Sequence, residues 1–167
     1  MAGTFREAEV KMMNDVPKLT VYTDGSCWPN PGPGGWAAIL QFENGTKTEI
    51  FGYELDTTNN RMEMKGFFET LDLLDDSTEI DLYSDSKYLC KGISQWMENW
   101  KRNGWKTSSG SEVKNKDLWM YFYEHLVIHK VRCHWIKGHS DNKWNEKADQ
   151  IATRMCELAK KEAAEDF

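Results

Sequence analysis

Leu19-Thr20-Val21-Tyr22-Thr23-Asp24-Gly25-Ser26-Cys27, then Trp28-Pro29-Asn30-Pro31-Gly32-Pro33-Gly34-Gly35, then Trp36-Ala37-Ala38-Ile39-Leu40-Gln41-Phe42 is the stretch that decides the fold. Residues 19–27 alternate and predict a strand, which the Pro- and Gly-rich segment interrupts. Residues 36–42 form a second strand, Asn44-Gly45 is a hairpin turn signal, and residues 47–55 supply a third strand. An antiparallel meander therefore opens the sheet. Past Asp56 the period changes. Thr57 or Thr58 can cap a helix whose apolar positions include Met64, Phe67, Phe68, Leu71 and Leu74. Gly66 within it is a weak helix former that allows close approach to the sheet. Residues 80–84 read as a fourth strand and 130–136 as a fifth. A helical region begins near Asp85 or Ser86, breaks around Gly92, resumes from Ile93 to Arg102 and stops at Asn103-Gly104. Asn115 can cap a helix running to about Ile128. A last helix follows Gly138-His139-Ser140, with Ala148, Ala152, Met155 and Ala159 on one face and fraying from Lys160. The pattern is that of an α/β protein with one sheet, no repeat and no second domain.

At 167 residues and 40% hydrophobic content, the chain can bury a substantial core and is not a disordered polymer. No apolar run approaches the eighteen or so residues of a membrane span, and the start lacks the layout of a secretory signal. The expectation is a cytoplasmic protein. Cys27, Cys90, Cys133 and Cys156 are widely spaced with no Cys-x-x-Cys pair. Free structural thiols in a reducing compartment are the leading reading, with a disulfide left open.

The net charge of −6 argues against a nucleic-acid binder until its distribution is considered. From Lys87 to Lys116 seven basic residues face two acidic ones, a local +5. From Glu43 to Asp81 eleven acidic residues outnumber three basic ones, a local −8. One lobe can therefore attract phosphate while the rest stays acidic. In that lobe Trp96, Trp100, Trp105 and Trp119 accompany the cations. Most of these indoles, Trp100 and Trp119 among them, read as a local core that braces a charged surface.

Asp24 and Asp85 stand at strand ends, while Glu63 and Asp149 stand near helix starts. Such a placement can gather oxygen ligands for hard divalent ions and serve attack on a phosphodiester. Each acid alone has a plainer reading: Asp24 capping a turn, Asp85 capping a helix, Glu63 or Asp149 facing solvent. Thr58-Asn59-Asn60 offers hydroxyl and amide groups at a helix start, where capping alone explains much of the signal. His139 can relay a proton near phosphate or be a satisfied structural histidine.

Tyr22-Thr23-Asp24-Gly25-Ser26, Asn30-Pro31-Gly32-Pro33-Gly34-Gly35, Thr58-Asn59-Asn60-Arg61-Met62-Glu63, Ser84-Asp85-Ser86, Trp135-Ile136-Lys137-Gly138-His139-Ser140 and Asn145-Glu146-Lys147-Ala148-Asp149 follow one another in order. Together they resemble type 1 ribonuclease H of the bacterial type, over about residues 19–159. The resemblance implies a ribonuclease H-like fold: a five-stranded mixed sheet in order 3-2-1-4-5, strand 2 antiparallel, flanked by helices. It implies a catalytic domain, taken as 18–160, with a basic protrusion at about 93–116; the mixed charge and weak periodicity before Pro17 read as a flexible leader over 1–17, and the charged end as a tail over 161–167.

The activity implied is endonucleolytic hydrolysis of the RNA strand of an RNA–DNA hybrid, leaving 5′-phosphate and 3′-hydroxyl ends. Two Mg²⁺ ions serve each site, with Mn²⁺ able to substitute. By resemblance Asp24, Glu63, Asp85 and Asp149 are the metal ligands and catalytic carboxylates, and His139 is an auxiliary catalytic residue. Gly25, Asn30, Thr58, Asn59 and Asn60 line the minor groove, and Lys101, Arg102, Lys106, Lys114 and Lys116 of the protrusion contact phosphate. Lys87 stands where glutamine is common in the family, and Asp141 where glycine is. Lys65-Gly66 also departs from the usual apolar and Ala-rich continuation. The resemblance further implies a monomer whose partner is the hybrid duplex, with no membrane and no obligatory protein partner. Against this stand a non-catalytic duplex-binding module and a structural protein with an incidental acidic cluster. Four intact carboxylates favour the enzyme.

Overall fold

A computed structural model of the chain describes residues 16–138 and 141–165. Five strands form one sheet: β1 (Lys18–Cys27), β2 (Gly32–Phe42), β3 (Lys47–Thr57), β4 (Glu79–Ser84) and β5 (Lys130–Trp135). Their order is β3-β2-β1-β4-β5. β2 runs antiparallel to both neighbours, and β4 lies parallel to β1 and β5. The expected meander is present. Its second turn is the Asn44-Gly45 hairpin, where Gly45 takes φ +87°, a region closed to most side chains.

Among the described residues five α-helices flank the sheet: α1 (Asn59–Leu73), α2 (Lys87–Lys91), α3 (Met97–Arg102), α4 (Lys116–Leu126) and α5 (Lys143–Glu165). On one face, Phe67 and Leu71 of α1 pack with Val21, Ala38, Leu40 and Leu82 of the sheet and with Trp119 and Phe122 of α4. Phe67, Trp119 and Phe122 are fully buried, each contributing roughly 1.5–3 kcal/mol relative to exposure. Gly66 is buried against the Ala37 carbonyl of β2, the close approach expected of it. α5 crosses the other face on its small residues Ala148, Ala152 and Ala159, and it continues helical through Glu165.

Three local expectations change. The break at Gly92 is a π-helical turn, Gly92–Trp96, that joins α2 to α3 without leaving the helical path. The reason is packing: a side chain at Gly92 would enter the Trp119 ring. Asn115 precedes α4 but does not cap it with its side chain, because its backbone is left-handed (φ 58°). Its amide instead donates to the Tyr88 hydroxyl at 3.1 Å. Finally, Cys90 of α2 and Cys133 of β5 form a disulfide, which corrects the reading of four free thiols. Their Cα atoms lie 5.5 Å apart, a span suited to a bridge. Cys27 and Cys156 are buried free thiols.

The tryptophans largely brace the lobe as expected. Trp119 and Trp105 are buried, and Trp96, Trp100 and Trp119 pack in series at 5.7 and 5.4 Å between ring centroids. Of the leader, residues 1–15 lie outside the described residues. The Pro17 carbonyl already accepts from the Glu79 N–H at 2.8 Å, tying the start of β1 to β4. No described helix is long and apolar enough to cross a membrane.

Candidate metal centre and substrate face

β1 brings Asp24 to the end of the sheet where α1 begins. A side chain at Gly25 would collide with the Met62 and Glu63 backbone, so only glycine lets β1 abut this helix. That contact sets Glu63 beside Asp24. The parallel strand β4 ends one residue before Asp85, and carboxylate oxygens of Asp24, Glu63 and Asp85 all lie within 4.8 Å of one another. Asp24 and Glu63 are only 3% and 8% exposed. Asp149, half-buried on α5, reaches the group through a hydrogen bond with Asp24.

Three plainer readings fail on geometry. Ser86, not Asp85, caps α2, its hydroxyl accepting from the Leu89 N–H at 3.1 Å. Glu63 does not face solvent. Asp24 does accept from the adjacent Gly25 N–H at 2.9 Å, but one local bond cannot offset burial of a charge among other acids. The Asp24 carboxyl is pushed up to about 8 by burial, then by the Asp85 charge and the hydrogen bond with Asp149. Glu63 is held well above its ordinary value by burial, then by Asp24 and Asp85. Glu63 Oε2 is buried with no hydrogen-bond partner among the described residues. Acid repulsion and an orphaned buried oxygen are both relieved by a hard divalent cation. The donor set is all oxygen and fits one.

The rim of the site is built by α1. Thr58 is the N-cap, its hydroxyl accepting from the Arg61 N–H at 3.2 Å. The Asn59 side chain is therefore not the cap. Asn30, in the loop after β1, accepts the Asn59 N–H at 3.1 Å, so the loop and the helix start form one lip. Asn60 is exposed on this lip. The Gly25 N–H is spent on seating Asp24.

Lys87 is exposed, with its ammonium 4.9 Å from the centroid of Trp135. Lys101, Arg102, Lys106 and Lys114 are exposed on the protrusion, whereas Lys116 is half-buried and paired with Glu112 at 3.3 Å. His139 lies outside the described residues. Asn142 of the same loop caps α5, its side-chain oxygen accepting from the Trp144 and Asn145 N–H groups at 3.1 and 2.9 Å.

Two contacts had no sequence signal of their own. Arg61, inside a quoted motif, grips Asp117 bidentately at 2.9 and 2.8 Å and reaches Asn115, tying the Glu63 helix to the start of α4, where the protrusion ends. The Trp135 indole donates to the Asp85 carbonyl at 2.9 Å. Arg61→Ala is expected to lower the melting temperature by about 2–4 °C, since a partly exposed pair contributes about 1 kcal/mol. A thermal melt equal to that of the parent would show the tie to be idle.

A buried acid cluster at the end of a mixed sheet, built from strand ends and a helix start, defines a metal-dependent hydrolase. The RNase H family profile matches residues 16–157. Ribonuclease H of Rickettsia akari is 50% identical over 142 residues, covering 85% of this chain and 93% of that one. Ribonuclease H of Francisella philomiragia is 53% identical over 136 residues, covering 81% and 89% respectively. Among solved structures, LC9-RNase H1, a type 1 RNase H, superposes with TM-score 0.77 at 27% identity, covering 86% of this chain and 74% of that one. The N-terminal RNase H domain of a Mycobacterium tuberculosis protein shares the fold, with TM-score 0.69 at 22% identity, covering 88% of this chain and 99% of that one. The chain belongs to the ribonuclease H family, as a type 1 enzyme of the bacterial kind.

Proposed function

We propose that the protein cleaves the RNA strand of RNA–DNA hybrids internally, leaving 5′-phosphate and 3′-hydroxyl ends. The observation that carries this reading is the convergence of Asp24, Glu63 and Asp85 within one cluster in a ribonuclease H fold, with Asp24 and Glu63 buried and both carboxyls raised by burial and neighbouring acids. Asp24, Glu63, Asp85 and Asp149 hold two Mg²⁺ ions, or Mn²⁺ in their place. Bound there, the ions supply charge neutralisation for the attacking and leaving oxygens. Glu63, at the start of α1, also orients water and the RNA 2′-hydroxyl. His139 is an auxiliary residue that assists water positioning, proton transfer or product release and is not a primary metal ligand.

Groove selectivity comes from the lip. Asn30, Asn59 and Asn60, with Thr58 and the Gly25 backbone, present donors and acceptors to the minor groove, where RNA hydroxyls distinguish the two strands. Lys87, Lys101, Arg102, Lys106, Lys114 and Lys116 meet backbone phosphate and add affinity with little base discrimination. One chain supplies all four carboxylates and the protrusion, which supports action as a monomer without an obligatory protein partner.

The deciding experiment offers matched RNA–DNA, RNA–RNA and DNA–DNA duplexes with and without Mg²⁺ or Mn²⁺. Cleavage of the RNA strand of the hybrid alone, and only with metal, is expected. Equal inactivity on all three under both ions would end this reading. A second measurement concerns Asn59. Because Thr58 caps α1, Asn59→Ala should leave stability within about 0.5 kcal/mol. Hybrid affinity per folded molecule should still fall several-fold. Unchanged affinity would remove Asn59 from the contact set.

A further inference from the structure

Asp85 stands one residue beyond the last rung of the sheet. Ser84 pairs with Trp135 at the ends of β4 and β5, and the Ile136 N–H donates to the Ser84 carbonyl at 2.9 Å. At Asp85 the strand has ended and α2 has not begun, so its peptide lies in a bend outside both. The Trp135 indole N–H reaches across and donates to the Asp85 carbonyl at 2.9 Å. A side chain thus supplies the clasp that the strand ladder stops short of. The same ring has the Lys87 ammonium 4.9 Å from its centroid, within the distance at which an indole face attracts a cation. We propose that Trp135 is a positioning residue with two arms: its N–H holds Asp85 in place as a metal ligand, and its ring holds Lys87 toward a phosphate of the hybrid. This role rests on the hybrid-cleavage reading.

Asp85 is the carboxylate that most needs such a hold. Asp24 is seated in β1 by the Gly25 N–H, Glu63 rides on α1, and both are almost fully buried. Asp85 is only half-buried, although its oxygen must meet the same cation. Mg²⁺ tolerates little departure from octahedral geometry, so a bend that drifts carries one ligand off the position set by the other two. The chain beyond Trp135 also returns over this carboxylate. A side chain at Gly138 would come within 2.9 Å of Asp85 Oδ2. Trp135 therefore fixes the Asp85 peptide against the strand end from which the Gly138 loop departs.

The ring arm follows from where α2 begins. Lys87 is its first residue, two positions after Asp85, and its head group is exposed. Left free, a lysine of this length loses much rotamer freedom when it grips a phosphate. Resting on the indole, it has already lost part of that freedom. Lys87, Cys90, Lys91 and Trp135 line a cleft of about 210 Å³, which gives a phosphate oxygen room beside the ring.

The test separates the two arms. Mg²⁺ and Mn²⁺ are titrated into the full chain without hybrid, followed by calorimetry and by melting temperature. Trp135 is 46% exposed, so its variants should fold. Trp135→Phe keeps a ring for Lys87 and removes the N–H. Its metal midpoint should rise by about tenfold, the lower end of the cost of losing a group that orients a metal ligand. Its turnover should fall at low Mg²⁺ and recover at high Mg²⁺, with little change in KM for the hybrid. Trp135→Ala removes both arms, so KM should also rise several-fold and the salt slope of binding should flatten by about 0.9, one phosphate contact. Lys87→Ala should reproduce that change in KM and slope while keeping the wild-type metal midpoint, and adding it to Trp135→Ala should weaken binding no further. A ring that only packs would lower the melting temperature in chelator and leave metal midpoint and salt slope untouched; that result overturns the role. Fully additive losses from Lys87→Ala and Trp135→Ala overturn the ring arm. In the unmutated chain, the Trp135 indole N–H resonance should shift when Mg²⁺ is added without hybrid. A resonance that stays in place removes the Asp85 arm, whether or not any variant folds. Wild-type protein that binds metal but cleaves no hybrid would instead end the activity reading, and the metal midpoints would still decide the Asp85 arm.

Discussion

Asp24→Asn is expected to lower hybrid cleavage by more than ~10²-fold, beyond the range for losing an outer-shell partner of a metal site. The same substitution should make the metal-free protein more stable. Asp24 is 3% exposed and its carboxyl sits at about 8, against an ordinary 3.8. Between those values the unfolded chain has released this proton and the folded chain still holds it. Folded protein therefore binds more protons, and its stability falls as pH rises from about 4 to about 8, levelling above. Glu63, raised for the same reasons, adds to the slope. At pH 8 the stored penalty amounts to a few kcal/mol. Asparagine keeps the volume and removes the charge. Its metal-free melting temperature should exceed that of wild type at pH 8 and converge with it near pH 5. Mg²⁺ or Mn²⁺ should stabilise the wild type more at pH 8 than at pH 5, because cation and proton compete for the same oxygens. Melts in chelator across this range, beside turnover at low and high Mg²⁺, test both halves. A folded Asp24→Asn protein with wild-type turnover would sink the ligand assignment. A metal-free variant no more stable than wild type at pH 8 would sink the account of the strain.

Much of this site was legible because it is built from local signals. The alternation of residues 19–27 and the Asn44-Gly45 turn gave the meander, and the period change after Asp56 gave the helix that carries Glu63. What local periodicity cannot carry is pairing across the fold. Nothing in the spacing of Arg61 and Asp117 announces a bidentate pair, since they lie 56 positions apart and meet only once α1 and α4 have packed on the same face. The Cys90–Cys133 bridge was hidden likewise, because parallel β4 and β5 had first to bring β5 beside α2. Gly92 misled for a different reason. Glycine normally signals a break, but here it clears space for the Trp119 ring, and a π turn absorbs the change of register. Asn115 does hold the N-cap position of α4, but its left-handed backbone sends the side chain to Tyr88 and Arg61 in place of a capping bond.

The simultaneous replacement of Lys101, Arg102 and Lys106 by alanine should weaken hybrid binding by more than tenfold at low salt, with little change in saturated turnover. All three are exposed, and Lys101 and Arg102 close the last turn of α3. Their rigidity comes from beneath. The Trp105 N–H donates to the Trp100 carbonyl at 2.7 Å, and the Trp105 ring packs edge-on to Tyr123, so the loop that follows α3 is pinned to α4. Removing the cations leaves this apolar brace intact, and the fold should survive. Each phosphate contact contributes about 0.9 to the slope of log affinity against log salt on a B-form duplex. Three lost contacts should flatten that slope by about 2–3, and the deficit against wild type should shrink as salt rises. Whole-chain charge makes no such prediction. A chain already at −6 becomes more negative with any cation removed, so neutralising the exposed Arg154 and Lys161 of α5 serves as the control. If the control weakens binding as much per charge as the protrusion does, the effect is general repulsion. If affinity and salt slope both stay unchanged in the triple variant, the protrusion does not grip phosphate.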